Sequence, residues 1–230
     1  MPLKYYYDLL SQPSRAVYLF LTYNKVPFEA KPVALRKNEH YSAEFKKINP
    51  FSLVPAIDDD GFCLTESTAI AKYVIQKFNL PDHWFPQKDI KKQARVEEYL
   101  HWHHFNTRAL CANLFRNLLI LPRATGKKAD PEDIEKQRQR ILKIVIPAFE
   151  NYFLKDRPYL AGNEISLADL FGSAELLQLK ACNEEYLYEQ SPIVKAWLER
   201  VRKETNPYFD ESNKLIYRTG ENFQNIISKL

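Results

Sequence analysis

Ser11-Gln12-Pro13-Ser14 follows an alternating run, Leu3-Lys4-Tyr5-Tyr6-Tyr7-Asp8, and opens an apolar segment, Arg15-Ala16-Val17-Tyr18-Leu19-Phe20-Leu21. The first run reads as a strand and the last as a helix, so the four residues between them make a strand-to-helix turn. Serine is a good N-cap, and proline fits the first turn of a helix. A helix N-terminus also offers free N–H groups and the positive end of the dipole, which favour an anion. Ser11 or Ser14 can therefore cap the helix, or a serine hydroxyl can donate to a bound anion.

Working outward, residues 3–9 read as a strand and 14–24 as a helix. Residues 28–35 alternate again, giving a second, parallel strand reached by a right-handed crossover. A short helix is predicted at 43–48. Val54-Pro55-Ala56-Ile57 and Phe62-Cys63-Leu64-Thr65 flank Asp58-Asp59-Asp60-Gly61, a strong hairpin signal. Helical periodicity resumes over 66–78 through Ile70, Ala71, Val74 and Ile75. The order β-α-β-α-β-β-α is a thioredoxin-like layout. That fold carries a Cys-x-Pro-Cys pair in the turn after its first strand. Hydroxyls replace both sulfurs here, which excludes disulfide exchange. A hydroxyl at that turn suits a thiolate arriving from outside, and glutathione is the external thiol that fits.

Leu80-Pro81-Asp82-His83-Trp84-Phe85-Pro86 breaks the pattern with two prolines, and no strand pattern follows. The expected division is a thioredoxin-like domain over 1–80, a linker over 81–88 and an all-helical domain over 89–230. One long helix is predicted from 90 to about 121. Asp130-Pro131-Glu132-Asp133 starts another, Ser166-Leu167-Ala168-Asp169 is a capping box, Ser191-Pro192 starts a fourth, and one or two more follow Pro207.

The composition fits such a two-domain globular chain. Of 230 residues, 45% are hydrophobic and 27% charged, with 14 Tyr, 14 Phe and only five Gly. A net charge of +4 with acids and bases interspersed speaks against a nucleic-acid platform. No apolar run reaches the length of a membrane span, and the first residues lack a signal-peptide pattern. Cys63, Cys111 and Cys182 make neither a metal-ligand spacing nor a disulfide framework and read as buried small hydrophobes. With no Asn-x-Ser/Thr acceptor, a cytoplasmic setting is expected.

Three local patterns carry chemistry. Ser11 lacks the Gly-x-Ser-x-Gly elbow of a hydrolase, so it reads as a hydrogen-bond donor rather than an attacking group. Val54-Pro55, between two strands, suggests a cis bond whose preceding backbone groups pair with an extended peptide. Glu66-Ser67 stands where a strand becomes a helix, a place for a carboxylate held by Ser67 and an ammonium held by Glu66.

Taken together, Tyr-Asp-Leu-Leu-Ser-Gln-Pro-Ser-Arg-Ala (7–16), the His40 region, Val54-Pro55 and Leu-Thr-Glu-Ser-Thr-Ala-Ile (64–70) resemble the cytosolic glutathione transferases. Arg-Val-Glu-Glu-Tyr-Leu-His-Trp-His (95–103) and Ile-Ser-Leu-Ala-Asp-Leu (165–170) are similar to the same family. The Ser-Gln-Pro-Ser-Arg-Ala turn and the Glu-Tyr-Leu-x-Trp segment point to its theta class. The resemblance implies a homodimer that detoxifies small electrophiles, with glutathione as co-substrate and no metal or cofactor. By resemblance, Ser11 donates to the glutathione sulfur, Gln12 lies beside the tripeptide, and Val54 pairs with its cysteinyl residue ahead of cis-Pro55. Glu66 and Ser67 hold the γ-glutamyl end, His40 approaches the glycine carboxylate, and Arg108 faces the active site. Phe115, Leu118, Leu119, Tyr217 and Phe223 are the expected walls of the electrophile pocket.

Two residues depart from the pattern. Theta-like chains carry lysine in a Pro-x-x-Lys-Val segment, where this chain has Leu53, and a basic residue can follow the histidine, where it has Tyr41. The expectation is weak glutathione affinity, with His40 carrying more of the glycine end. The reaction expected is conjugation of the glutathione thiolate to a small electrophile, with glutathione-dependent peroxide reduction as a second activity. The alternative is a protein that keeps this fold for binding or interaction without turnover.

Overall fold

The computed structural model describes residues 2–228. Four strands, β1 (Leu3–Tyr7), β2 (Phe28–Pro32), β3 (Ala56–Asp59) and β4 (Phe62–Leu64), form one sheet in the order β2-β1-β3-β4. Strands β1 and β2 are parallel and the other pairs antiparallel. Alternation along β1 sends Leu3 and Tyr5 into the main core with Val17, Ile70 and Val74 of helices α1 (Gln12–Tyr23) and α3 (Ser67–Lys77). Tyr6 faces the other way, its ring 6.0 Å from Phe45 of α2 (Ala43–Ile48). The β3–β4 hairpin turns at Asp60 and Gly61, both at positive φ (53° and 92°), the geometry two-residue hairpins favour.

The second strand ends earlier than the alternation predicts. The amide of Ala34 donates to Glu39 and that of Leu35 to Asp8, which draws the chain out of the sheet into a 3₁₀ turn, Leu35–Lys37. Past the sheet domain, Trp84 is fully buried, donates to Asn24 at 2.8 Å and meets Phe20 edge-on.

Beyond it the described residues are helical. Helices α4 (Ile90–His103), α5 (Ala109–Phe115) and α6 (Leu121–Thr125) run end to end through two π-helical turns, His104–Arg108 and Arg116–Ile120. Every junction residue keeps right-handed helical angles, so one long rod results, ended by Gly126 at φ 70°. A second rod joins α7 (Pro131–Arg140) to α8 (Ile146–Ala148) through a π turn at Ile141–Val145 and ends in another at Phe149–Phe153. Helix α9 (Leu167–Leu177) is buried along its whole length. Its start is fixed by Asp169, which accepts from the amides of Leu160 and Ser166, the Ser166 hydroxyl and the Trp197 indole. A 3₁₀ segment, Gln178–Cys182, and helices α10 (Tyr186–Glu189), α11 (Pro192–Thr205), α12 (Tyr208–Glu221) and α13 (Phe223–Ile227) complete the fold. The short α10 and the 3₁₀ segment carry no cap or period that the sequence displays. No helix among the described residues is long and apolar enough to cross a membrane.

Arg15, on α1, is 1% exposed and joins the two halves. It donates to the carbonyls of Leu9, Leu10 and Ala174 and to the side chains of Asn213 and Gln178. Burial pulls its guanidinium down to about 9. Cys111 and Cys182 are buried as expected, but Cys63 is exposed. It lies on the edge strand β4, which no further strand covers.

Candidate active site

The turn before α1 holds Ser11 in extended backbone (φ −81°, ψ 124°), at the N-cap position but without a side-chain capping bond. Its hydroxyl has only a long contact, 3.5 Å, to the Val54 carbonyl, at the limit of a hydrogen bond. The helix N-terminus is thus not capped by this hydroxyl. Beside it, the Gln12 amide nitrogen is buried and has no partner, a costly state unless something fills it. Asp8 braces this corner, one oxygen accepting from Leu10 and the other from Leu35.

Across from Ser11 the Val54–Pro55 bond is cis. Asn49, itself buried, shapes the loop ahead of it by donating to the Leu53 carbonyl at 2.7 Å and accepting from the Phe51 amide at 3.0 Å. Val54 lies outside the strands, and none of the sheet's pairings uses its backbone. At the start of α3, Glu66 is exposed with φ 65°, a left-handed conformation that ordinary side chains avoid and that concentrates at ligand sites. Ser67 next to it is buried.

These residues surround two adjoining chambers. The larger, about 440 Å³, is lined by Ser11, Gln12 and His40 from the sheet domain and by Arg108, Phe115 and Ile120 from the long helical rod. The smaller, about 100 Å³, holds Pro55, Glu66, Ser67 and His104. Leu53, Val54 and Arg108 belong to both. Arg108 is held from behind by Glu175 at 3.0 Å. Burial pushes the Glu175 carboxyl up, while Arg108 and Arg15 pull it back. Burial pushes the His40 imidazole down against a pull from Asp8, and its Nδ1 has no partner. Burial, with Arg108 close by, likewise lowers His104. At neutral pH both imidazoles are therefore neutral, and Arg108 is the cation common to the two chambers.

The model for the glutathione S-transferase N-terminal domain matches residues 1–76, and that for the C-terminal domain of the same family matches residues 112–204. The chain is 37% identical to bovine (Bos taurus) glutathione S-transferase theta-1 over 222 residues, covering 96% of this chain and 91% of that one. It is 41% identical to mouse (Mus musculus) theta-2 over 201 residues, covering 87% and 81%. The chain belongs to the theta class of glutathione S-transferases. Among solved structures, human theta-2 in complex with glutathione and an unknown ligand superposes with a TM-score of 0.91 at 37% identity, covering 97% of this chain and 90% of that one. A human theta-class transferase with the glutathione conjugate of 1-menaphthyl sulfate gives the same TM-score and identity, covering 98% and 91%.

In this theta-class transferase the structure brings together Ser11, Gln12, His40, Leu53, Val54, Pro55, Glu66, Ser67 and Arg108. Of the five expected pocket walls, Phe115 lines the larger chamber and the other four do not. Leu119 and Phe223 are buried with Ile216 in the apolar cluster that Phe115 also joins, behind the chamber wall, and Leu118 packs against that cluster. Tyr217 turns to Asp210, to which its hydroxyl donates at 2.9 Å. The chamber instead takes Leu10, Leu35, Arg36 and Ile120, and the smaller one His104. Leu10, next to Ser11, was within reach of the sequence pattern. Ile120 was not, because one π turn shifts the helical phase before it and Ile120 itself ends the second.

Proposed function

We propose that the chain is an enzyme that binds glutathione as a thiolate across the two chambers and transfers it to a small electrophile. The observation that carries this reading is the Ser11 hydroxyl, uncapped at a helix N-terminus and bordering the chamber that Arg108 also lines. In this reading Ser11 donates to the sulfur. The backbone of Val54, ahead of Pro55, pairs with the cysteinyl residue. Ser67 and the start of α3 take the γ-glutamyl carboxylate, and Glu66 takes its ammonium. Gln12 offers its unpartnered amide to the tripeptide, and His40 borders the glycine end.

Free glutathione is mostly thiol at neutral pH, and the thiolate is the nucleophile. Lowering its pKa by ~2 units, worth roughly 2.7 kcal/mol of differential stabilisation, makes the thiolate dominant. A hydroxyl donor, a helix dipole and a guanidinium are the right kinds of group to supply that. The sulfur then attacks an electrophile held against it by Leu10, Phe115 and Ile120, and the leaving group departs, or the adduct takes up a proton. With a hydroperoxide, the same thiolate attacks the terminal oxygen, the O–O bond breaks and the alkoxide takes a proton to leave as an alcohol. The resulting glutathione sulfenic acid condenses with a second glutathione to give the disulfide and water. A theta-class relative has been solved with an arylmethyl conjugate of glutathione. The open, apolar larger chamber supports a substrate of that class.

The division of labour follows the two halves, with residues 1–80 as the glutathione-binding domain, 81–88 as the linker, and 89–230 supplying Arg108 and the electrophile wall. Assembly as a homodimer in the cytoplasm is part of the same proposal. Exposed Phe51, which lines the smaller chamber, and exposed Phe105, next in sequence to His104, support a partner surface there. Leu53 and Tyr41, neutral where theta-like chains carry cations, favour the second reading, a binder without turnover.

The deciding experiment is glutathione-dependent turnover of a panel of alkyl halides and hydroperoxides, run beside Ser11→Ala. Turnover that collapses in the variant while glutathione still binds supports the enzyme. Binding without turnover on any electrophile supports the binder.

A further inference from the structure

The charge inventory of the larger chamber is lopsided. Its lining contains no carboxylate, and beyond neutral His40 its ionisable cations are Arg36 and Arg108. Arg108 is already paired with Glu175. Arg36 is exposed and enters no ion pair among the described residues. Glu39, three residues on, and Asp8, bonded to the neighbouring Leu35, have other partners. Glu39 accepts from the Ala34 amide, and Asp8 accepts from Leu10 and Leu35.

The backbone that carries Arg36 is fixed. It belongs to the 3₁₀ turn Leu35–Lys37, tied at Leu35 to Asp8 and closed by Lys37 N–H to Ala34 at 2.9 Å. Asn38 then reverses the chain at φ 60°, which brings His40 and Tyr41 onto the same wall as Arg36. His40 has an unpartnered buried nitrogen there, and Leu53 completes the wall without charge.

Glutathione carries two carboxylates and one ammonium. The smaller chamber, with Glu66 and Ser67, matches the end that holds both an ammonium and a carboxylate. The other carboxylate, on glycine, is left with a wall where Leu53 and Tyr41 are neutral and His40 is held neutral by burial. We propose that Arg36 receives the glycine carboxylate in this chain, supplying the cation that theta-like sequences carry at the position of Leu53. A guanidinium suits this role, because its planar fork meets a carboxylate with two parallel bonds and it keeps its charge at every physiological pH. The inference rests on the glutathione-binding reading of the site. It also changes the expectation for affinity, since the glycine end is held by Arg36 with His40 rather than by His40 alone.

The test is a ligand–variant cycle by calorimetry. Wild type, Arg36→Ala and Arg36→Lys are titrated with glutathione and with its glycine monoethyl ester, in which the carboxylate is masked. Arg36 is exposed, so the variants keep the fold. Arg36→Ala is expected to lose about tenfold in glutathione affinity, Arg36→Lys less, and the ester is expected to bind wild type and Arg36→Ala alike. Introducing Leu53→Lys into Arg36→Ala is expected to restore most of the loss. Unchanged glutathione affinity in Arg36→Ala overturns the inference while leaving the site's reading intact, and so does an equal loss with the ester. Failure of wild type to bind glutathione at all overturns both.

Discussion

The Arg108 guanidinium sits 3.0 Å from the carboxylate of Glu175, a side chain only 1% exposed on the fully buried α9. The contact aims a cation at the junction of the two chambers from a rigid support. It also places a carboxylate between two arginines, Arg108 and Arg15, whose charges offset its burial. Glu175→Gln removes the charge that pairs with Arg108 and lies near Arg15. Breaking a buried pair by deleting one partner costs about 3–5 kcal/mol, and one exposed partner here argues for the low end. Turnover is expected to fall about tenfold, with a smaller change in the KM for glutathione, because Arg108 then samples several orientations. Urea unfolding and steady-state kinetics on the one variant measure both effects. Wild-type kinetics in Glu175→Gln would show that Arg108 needs no tether.

Ser11→Ala has a signature of its own beyond lost rate. Removing a donor to a thiolate disfavours the charged form, so the pKa of bound glutathione rises. A shift of about 1–2 units is expected, worth roughly 10- to 100-fold in rate at neutral pH and recovered as the pH approaches the new value. A pH–rate profile reads this directly. A rate reduced equally at every pH would mean that Ser11 acts by position alone.

Acid sensitivity is expected from His103. Burial, reinforced by His104 and Arg108, pushes its imidazole down to about 3, and its Nδ1 donates to the Leu100 carbonyl. The unfolded chain takes up this proton near pH ~6.5 and the folded one does not, so stability falls as the pH drops below that value, by about 2 kcal/mol at pH ~5. The decline ends near the folded value of about 3. Asp169, pushed up to about 6 by burial, slopes the opposite way. The informative quantity is therefore the difference in urea midpoints between wild type and His103→Gln across pH ~7.5 to ~5. A difference that stays constant with pH would exclude His103 as the acid-labile group.

At Gly220 on α12, a methyl group would collide with the backbone carbonyl of Lys180 in the 3₁₀ segment. Neither is the flexible end of a side chain, so the helix itself must move. Gly220→Ala is expected to cost about 1–3 kcal/mol despite alanine's better helix propensity. Thermal unfolding of the variant measures it. A raised melting temperature would mean that α12 slides freely over that turn.

Elements with a chemical boundary marker were legible before the structure. Asp60-Gly61 makes the hairpin, Asp130-Pro131 opens α7, and Ser166 with Asp169 starts α9. The strand–Ser–helix turn pointed to Ser11, Val54-Pro55 and Glu66-Ser67 because each marks a place where backbone groups are left over. What stayed hidden depends on depth or phase. The first π turn adds a residue within the long rod, and Leu118 and Leu119 lie inside the second, so a helical face extrapolated from Ile90 no longer applies to them. Arg36 reaches the chamber from a turn that Asp8 and Glu39 hold by taking two amides, a pairing without local signature. Glu175 sits in an apolar helix where its partner, 67 positions away in the chain, is invisible to any local pattern.

Arg15 constrains how chains of this kind can be recombined. Its donors meet acceptors on its own turn, on α9, on the 3₁₀ segment and on α12, so the sheet domain ends in a plug cut for one socket. A chimera that grafts this half onto another helical partner must bring Asn213, Gln178 and the Ala174 carbonyl along. Otherwise it strands a desolvated cation four residues from Ser11, where even a small shift of the turn re-aims the hydroxyl. The two halves therefore form a matched pair, and exchange between relatives is open only to those whose sockets share that shape.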